Sequence, residues 1–520
     1  MANPRILWAD DEIELLRPHI LFLKTKGYDV TGVTNGADAI EQVRAERFDL
    51  VFLDEQMPGI GGLETLSEIK ILSPEMPIIM ITKSEEESLM EEAIGAKISD
   101  YLIKPVNPNQ ILLTCKKILD GRVLQEEKTA QTFLQSFGRL SMMLNDGLSH
   151  EEWTDVYQEL VHYDMELEGD DGARQILDEQ IRQAQATFGR FIEDHYEDWI
   201  ASVGQPPDTD RPVLSHEVLP QYVLPLLREN RPVVFFLIDC MRHDQWLEFE
   251  RFLYPLFDIE KHFHYSILPT ATPYARNAIF SGLLPNEMQK RFSQLWADAE
   301  EDETSKNRNE EAFLQDLLKR KYLTPKMRYE KIVNVQEGRD LLKQVRSLGG
   351  YDLTAIVVNF VDILAHSRSD SNVLKEIAPD EKAYRALTRT WFAHSWLLQM
   401  FQELASMNCT VVVTSDHGAI RSLRDTKVIG DRTTSTSLRY KYGRNLKADT
   451  RHAIFVKDPT KFGLPSHGLN TNYIIAKEDY YFVYPTNYHH YQHHYWDSMQ
   501  HGGVSLQEMI LPVATLRAKK

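Results

Sequence analysis

Short apolar runs bounded by turn residues alternate with helix-length stretches in the N-terminal part of the chain. The runs are Arg5-Ile-Leu-Trp-Ala9, Tyr28-Asp-Val-Thr31, Asp49-Leu-Val-Phe-Leu53, Pro77-Ile-Ile-Met-Ile81 and Asp100-Tyr-Leu-Ile103. That alternation predicts a small parallel sheet with crossover helices, a (βα)5 unit over residues 1–121. From about Arg122 to Gly204 the strand signals vanish and apolar positions fall three and four apart. Phe133, Phe137, Leu140 and Leu144 form one such stripe; Trp153, Val156, Leu160 and Tyr163 form a second; Leu177, Ile181, Ala184, Phe188 and Phe191 form a third. Three amphipathic helices in a bundle over 122–205 follow, with breaks at Asn145-Asp-Gly147 and Gly169-Asp-Asp-Gly172. The segment Gln205-Pro-Pro-Asp-Thr-Asp-Arg-Pro212 reads as a linker. Strand signals return in Pro232-Val-Val-Phe-Phe-Leu-Ile238, Leu353-Thr-Ala-Ile-Val-Val-Asn-Phe-Val361 and Cys409-Thr-Val-Val-Val-Thr-Ser415. They predict a larger α/β domain over 206–520, so the fold class is multidomain α/β.

Length agrees with this division, because 520 residues exceed one ordinary core. A net charge of -19 argues against a chain that coats duplex DNA, which depends on lysine and arginine neutralising phosphates. No basic recognition helix is apparent either, so a duplex DNA-binding domain is not expected. Cys115, Cys240 and Cys409 are scattered and odd in number, which suits a reducing compartment. No apolar run is long enough to span a membrane. Met1-Ala-Asn-Pro-Arg5 enters the first strand without a signal-peptide pattern, and the expected location is the cytoplasm.

Chemistry sits at the ends of the early strands. Asp10 and Asp11 end the first, Asp54 the third, Thr82 the fourth and Lys104-Pro105 the fifth. Clustered carboxylates repel one another and suit a hard cation such as Mg²⁺. These positions, with Met57-Pro58-Gly59, resemble the receiver domain of two-component response regulators. The resemblance implies that Asp54 is phosphorylated by a cognate sensor histidine kinase. It also implies that Asp10, Asp11 and Asp54 hold Mg²⁺, that Thr82 and Lys104 bind the phosphoryl group, and that Tyr101 changes rotamer with Thr82. Lys83 departs from the pattern, since receivers usually carry a small residue there; a bulky one would alter phosphoryl lifetime.

The later strands carry a second set. Asp239, Asp362 with His366, and Asp416 with His417 follow three apolar runs, and His501 and Thr272 lie in loops. In an open parallel sheet such residues converge on one crevice. Asp362 and His366 share a face if a helical turn follows their strand. Carboxylate and imidazole donors favour Zn²⁺, with Mn²⁺ as the alternative, and two ions set close together stabilise both oxygens of an in-line displacement. The set resembles the alkaline phosphatase superfamily, in its PglZ-domain branch. The resemblance implies that Asp239, Thr272, Asp416 and His417 surround one zinc and Asp362, His366 and His501 the other. Thr272 would be the nucleophile, passing through a phospho-threonine.

Threonine rather than serine at the nucleophile resembles the phosphodiesterase members, which implies nucleotide phosphodiesters, cyclic or short oligonucleotides, as substrates. Arg276, four residues after Thr272, either grips a phosphate oxygen, if a helix starts there, or lies at the surface or behind the metal ligands. Arg439-Tyr-Lys-Tyr-Gly-Arg444 reads as a solvated loop or a surface for a polyanion. Tyr488-His-His-Tyr-Gln-His-His-Tyr-Trp496 reads as an aromatic packing segment, a base-stacking lid or a further metal box. Receiver, bundle and PglZ domain in series resemble the response regulators associated with type IX secretion. That implies a homodimer formed on phosphorylation. The other reading is a non-catalytic adaptor that binds a sigma factor or secretion component, with structural or ligand-sensing zinc.

Overall fold

A computed structural model describes residues 3–73, 76–83, 98–167, 171–204, 211–229, 231–297, 308–430, 437–466, 468, 471–486 and 488–519. The chain forms two compact units, residues 1–134 with 167–171, and residues 135–166 with 172–520. The break expected at 169–172 and the linker expected at 205–212 fall largely outside the described residues.

In the first unit β1 (Arg5–Ala9), β2 (Asp29–Val33), β3 (Leu50–Asp54), β4 (Ile78–Thr82) and β5 (Asp100–Ile103) make a parallel sheet ordered β2-β1-β3-β4-β5. The central strands β1, β3 and β4 are almost wholly apolar and buried because helices cover both faces, whereas the edge strand β2 carries Asp29 and Thr31. Alternate residues go to opposite layers: Ile6, Trp8, Phe52 and Ile81 to one, Leu7, Ala9, Leu53 and Met80 to the other. Leu23 of α1 (Arg17–Thr25) and Ile111 of a helix at Pro108–Cys115 fill the first layer. Ala39 of α2 (Gly36–Ala45) and Leu66 of α3 (Gly62–Leu72) fill the second. The strand order reverses between β1 and β3, which opens a crevice at their carboxyl ends. Gly62 lets α3 approach the β3 end, since a Cβ there would lie 2.4 Å from the Asp54 carbonyl oxygen.

The second unit takes the C-terminal part of α4 (Gly121–Asp146), α5 (His150–Glu166) and α6 (Asp171–Ala201) together with the rest of the chain. Gly147, at φ 81°, follows the end of α4. The stripe residues Trp153, Val156, Leu160, Leu177, Ala184 and Phe188 are buried. Trp153 meets Phe188 edge-on at 5.2 Å, and Trp199 meets Tyr265 of the α/β domain at 5.6 Å. The aromatic periodicity is therefore core between the helices and that domain.

The main sheet of the second unit, among the described residues, has β6 (Val233–Ile238), β7 (Phe257–Tyr265), β8 (Met327–Ile332), β9 (Leu353–Val358), β10 (Thr410–Thr414) and β11 (Ile510–Ala518), ordered β7-β11-β10-β6-β9-β8. The block β10-β6-β9-β8 is parallel, and β11 runs antiparallel to both its neighbours. Val234, Phe236 and Ile238 fill one layer, Val233, Phe235 and Leu237 the other.

Two buried histidines give this unit a pH dependence. His243 packs against Phe263 at 5.0 Å, and the His264 Nε2–H donates to the Ser415 carbonyl at 3.0 Å. Burial pushes each imidazole down to about 4. Between that value and 6.5 the unfolded chain binds protons that the folded chain refuses, so stability is lost as pH falls through this window. Each should cost roughly 3 kcal/mol by pH 4. Denaturant midpoints of the metal-free protein should fall steeply between pH 6.5 and 4; a flat profile would contradict neutral buried imidazoles.

Candidate functional site

Adjacent parallel strands deliver the acidic groups. Asp239 follows β6, Asp416 follows β10 by one residue, and Asp362 lies in the first turn of the helix Phe360–Asp370 that follows β9. Because β10, β6 and β9 are neighbours in the sheet, the three carboxylates arrive side by side. His366 sits one turn beyond Asp362. His501 follows the short strand Ser498–Gln500, which pairs with Ile420–Ser422 just beyond His417 and so returns to the same edge. Thr272 opens α7 (Thr272–Ser281), with Pro273 behind it and Gly282 closing the helix at φ 61°.

The loops that carry these residues are tied to one another. Thr270 Oγ1 donates to the Gly503 carbonyl at 2.7 Å and accepts from the Gly502 N–H at 3.2 Å. The Leu268 N–H donates to the Tyr196 hydroxyl of α6 at 2.8 Å. The Gly418 N–H donates to the Glu508 carbonyl, and a Cβ on Gly418 would lie 2.0 Å from the Gln507 carbonyl oxygen. Only glycine fits after His417 at that approach.

The side chains form two adjoining groups. In the first, Asp239, Asp416 and His417 are buried and offer ligand atoms within 4.8 Å of one another. His417 Nε2 stands 2.9 Å from Thr272 Oγ1 and 3.8 Å from Asp239 Oδ1. His417 Nδ1 faces the Gly418 carbonyl at 3.1 Å and must donate to it. Nε2 therefore presents its lone pair, and the Thr272 hydroxyl is the donor. In the second group, Asp362 Oδ1 lies 3.4 Å from His366 Nε2 and 3.6 Å from His501 Nε2, and the two imidazole nitrogens are 3.4 Å apart. The His417 and His501 rings stack at 4.4 Å, which sets the groups side by side.

The electrostatics suit divalent cations. Burial, with Asp416 and Asp362 nearby, pushes the Asp239 carboxyl well up despite Arg276. Burial also works against Asp416 and Asp362, but His417 and Arg276 hold the first down and the surrounding imidazoles the second. His366, beside the Asp362 carboxylate, is raised to about 9, and burial takes His501 down to about 3. Asp239 Oδ1 and Asp362 Oδ1 are buried without hydrogen-bond partners. Such atoms are costly unless something binds them. Carboxylate with imidazole is a zinc-type donor set, and both groups fit one.

Of the places open to Arg276, the structure gives the one behind the metal-type ligands. It is fully buried and does not reach outward to a substrate. Its Nε donates to Asp416 Oδ2 at 3.0 Å, one terminal nitrogen pairs with Asp239, and the other lies 3.9 Å from Glu310. The spacing of four does place it one turn below Thr272, but two buried carboxylates capture the guanidinium first. Arg439 and Lys441 are likewise buried, with Arg439 paired to Glu508, and Tyr440–Gly443 is a strand rather than a solvated loop; Arg444 is the basic residue of that cluster left exposed. The tract at 488–496 forms a helix, Tyr488–Tyr495, whose four histidines are exposed. Tyr488 and Gln492 anchor it to Asp425. Among the described residues, the clusters of three or more metal-ligand side chains do not include it.

In the first unit Asp10, Asp11 and Asp54 converge within 4.8 Å. Lys104 Nζ bridges Asp10 and Asp54, at 2.9 Å from each. Burial and Asp10 raise Asp54 despite the Lys104 bond. Three carboxylates against one ammonium fit a hard cation. The Thr82 hydroxyl donates to Glu55, Tyr101 is half-buried, and Lys83 leans toward Glu12 at 3.6 Å on the surface. Glu55, Glu310, Lys331 and Tyr196 gave no signal in the sequence because their partners are distant along the chain. Gly418 could have been found in the run Asp416-His-Gly418.

Three family models match in series. Residues 6–116 match the response regulator receiver domain, 123–200 the PorX response regulator linker domain, and 218–516 the BREX system PglZ alkaline phosphatase-like domain. Curated relatives include the transcriptional regulatory protein ZraR of Klebsiella oxytoca, 35% identical over 26% of this chain and 30% of that protein. The alginate biosynthesis transcriptional regulatory protein AlgB of Pseudomonas syringae is 35% identical over 23% of this chain and 27% of its own length. The chain thus spans less than a third of the length of these relatives, in the receiver region. Among solved structures, the chemotaxis protein CheY4 of Vibrio cholerae is 27% identical, covers 22% of this chain and 99% of its own, and has a TM-score of 0.22. No helix among the described residues is long and apolar enough to cross a membrane. With receiver, linker and PglZ domain in the PorX order, the chain is a response regulator that belongs to the family of the BREX system PglZ alkaline phosphatase-like domain.

Proposed function

We propose that the PglZ domain is a zinc-dependent phosphodiesterase acting on nucleotide phosphodiesters, cyclic or short and linear, and that Asp54 phosphorylation controls it through dimerisation in the service of type IX secretion. The observation that carries the reading is the 2.9 Å contact of Thr272 Oγ1 with His417 Nε2 between two carboxylate–imidazole groups. Asp239, Asp416 and His417 with Thr272 would hold one zinc, and Asp362, His366 and His501 the other. Bound zinc would supply positive charge for the phosphoryl oxygens and make a hydroxyl nucleophilic at neutral pH.

The chain's own part is positioning and attack. Thr272 Oγ attacks phosphorus, its proton passing to solvent because the His417 Nε2 that faces it would be a zinc ligand, and one alcohol departs with a proton from water. The other alcohol stays esterified to a phosphoryl group on Thr272 until water releases it and restores the hydroxyl. The amino end of α7 favours the anionic phosphoryl group. His366 is half-exposed, which leaves an approach from solvent on that side. Hydrolysis of bis-p-nitrophenyl phosphate and of a cyclic dinucleotide by the zinc-loaded chain tests the reading. Turnover of both is expected. No turnover by phosphorylated, zinc-replete protein would move the account to the adaptor.

For the receiver, Asp54 attacks the phosphorus of acetyl phosphate, acetate leaves, and Mg²⁺ at Asp10, Asp11 and Asp54 would offset the added charge. Wild-type protein should shift from monomer to dimer in sedimentation on such treatment, and Asp54→Asn should remain monomeric. A variant that still dimerises would sever dimerisation from Asp54. A full swing of the equilibrium needs about 5.5 kcal/mol, which a dimer interface and the new phosphoryl contacts must supply.

A further inference from the structure

We infer that Arg276 is a positioning residue that sets the zinc affinity of the Asp239, Asp416 and His417 group by fixing its two carboxylates. This rests on the zinc reading above. The guanidinium takes Oδ2 of Asp416 at 3.0 Å and Oδ2 of Asp239, all three groups being buried. Asp416 Oδ1 is held in turn by the backbone N–H groups of Cys240 at 3.3 Å and His417 at 3.1 Å. Asp239 Oδ1 is left with no hydrogen-bond partner and faces His417 Nε2 and, beyond it, Thr272. The planar fork keeps Asp239 Oδ1 turned to the site by occupying Oδ2, and it shares Asp416 Oδ2, which lies 3.9 Å from His417 Nε2, while the backbone holds Oδ1, so neither carboxylate can rotate.

The arginine is itself held from behind. Glu310 lies 3.9 Å from Arg276 and 3.1 Å from Lys331 Nζ. Three buried acids thus surround one guanidinium, and one added divalent cation among Asp239, Asp416 and His417 brings the local charge close to balance. Because α7 carries both residues, the same side chain that fixes the carboxylates also fixes the turn from which Thr272 projects. Asp362, His366 and His501 have no contact with Arg276 among the described hydrogen bonds and ion pairs, so the effect is confined to one of the two groups. Groups that orient metal ligands from behind typically change affinity by roughly 10–100-fold when removed.

The test is zinc titration of the full chain against a competing chelator, for wild type, Arg276→Lys and Arg276→Met. Wild type should take two zinc ions per chain. Arg276→Lys, which keeps the charge and loses the fork, should keep one site at wild-type affinity and weaken the other by about 10-fold. Arg276→Met should weaken it by up to about 100-fold. In Arg276→Lys, kcat should recover at saturating zinc while half-saturation moves to higher zinc, which a merely destabilised fold would not give. Two undisturbed sites in folded Arg276→Lys and Arg276→Met would overturn the inference and leave the zinc reading intact. A wild type that takes no zinc would overturn the zinc reading, and the inference with it.

Discussion

Replacing Thr272 by valine lowers turnover at least about a thousandfold while the chain still takes up both zinc ions. Valine keeps the branched shape and removes only the hydroxyl, so helix α7 and its proline start are undisturbed. What disappears is the oxygen 2.9 Å from His417 Nε2. The remaining donors of that group are two carboxylates and an imidazole, enough to retain a cation on charge alone. Turnover of bis-p-nitrophenyl phosphate beside zinc content by elemental analysis separates the two effects. A variant that keeps its rate would remove Thr272 from the chemistry; one that loses zinc with its rate would make Thr272 chiefly a ligand. If the proposed response of type IX secretion to Asp54 is found and survives this substitution, catalysis is dispensable to the output and the adaptor reading gains.

Stripping the metal has the second large effect. Chelation should abolish turnover, and readded Zn²⁺ should restore it where Mg²⁺ does not, because imidazoles at His366, His417 and His501 are poor partners for a hard ion. Stability should fall too. An ion present at about a thousand times its dissociation constant contributes about 4 kcal/mol per site, which corresponds to a melting shift of order 10 °C. The expected cause is local: Asp239 Oδ1 and Asp362 Oδ1 have no hydrogen-bond partners in the protein and lose their counter-charge. Asp362→Asn should lose one ion and leave the other. Restoration by Mg²⁺ alone, or an unchanged melting curve, would contradict this account.

The residues at strand ends were legible in the sequence because a parallel sheet imposes its own geometry. An apolar run long enough for a strand, followed by aspartate, places that carboxylate at the carboxyl edge, and Asp54, Asp239 and Asp416 all obey this. The alternation of Ile6, Trp8, Phe52 and Ile81 against Leu7, Leu53 and Met80 explains why those runs carry no polar positions. Arg276 stayed open between substrate and ligand shell because helical spacing fixes a face and says nothing about which partner lies across it. Asp239 and Asp416 are about 40 and 140 residues away in sequence, and their burial decides where the guanidinium goes. Arg439 shows the same limit: it stands in a run of aromatic and basic residues, and Glu508 draws it inside. Tyr196 and Glu310 were invisible because a single hydroxyl or acid on an amphipathic helix carries no pattern until the loop or charge it serves is in view.

The central claim is that a threonine on the chain becomes esterified during turnover. Zinc-loaded protein mixed with bis-p-nitrophenyl phosphate, acid-quenched at early times and digested, tests it by peptide mass spectrometry. The account predicts a p-nitrophenyl phosphoryl group on the peptide that contains Thr272, absent in Thr272→Val. Turnover without any adduct on that peptide, or an adduct on another side chain, would contradict it.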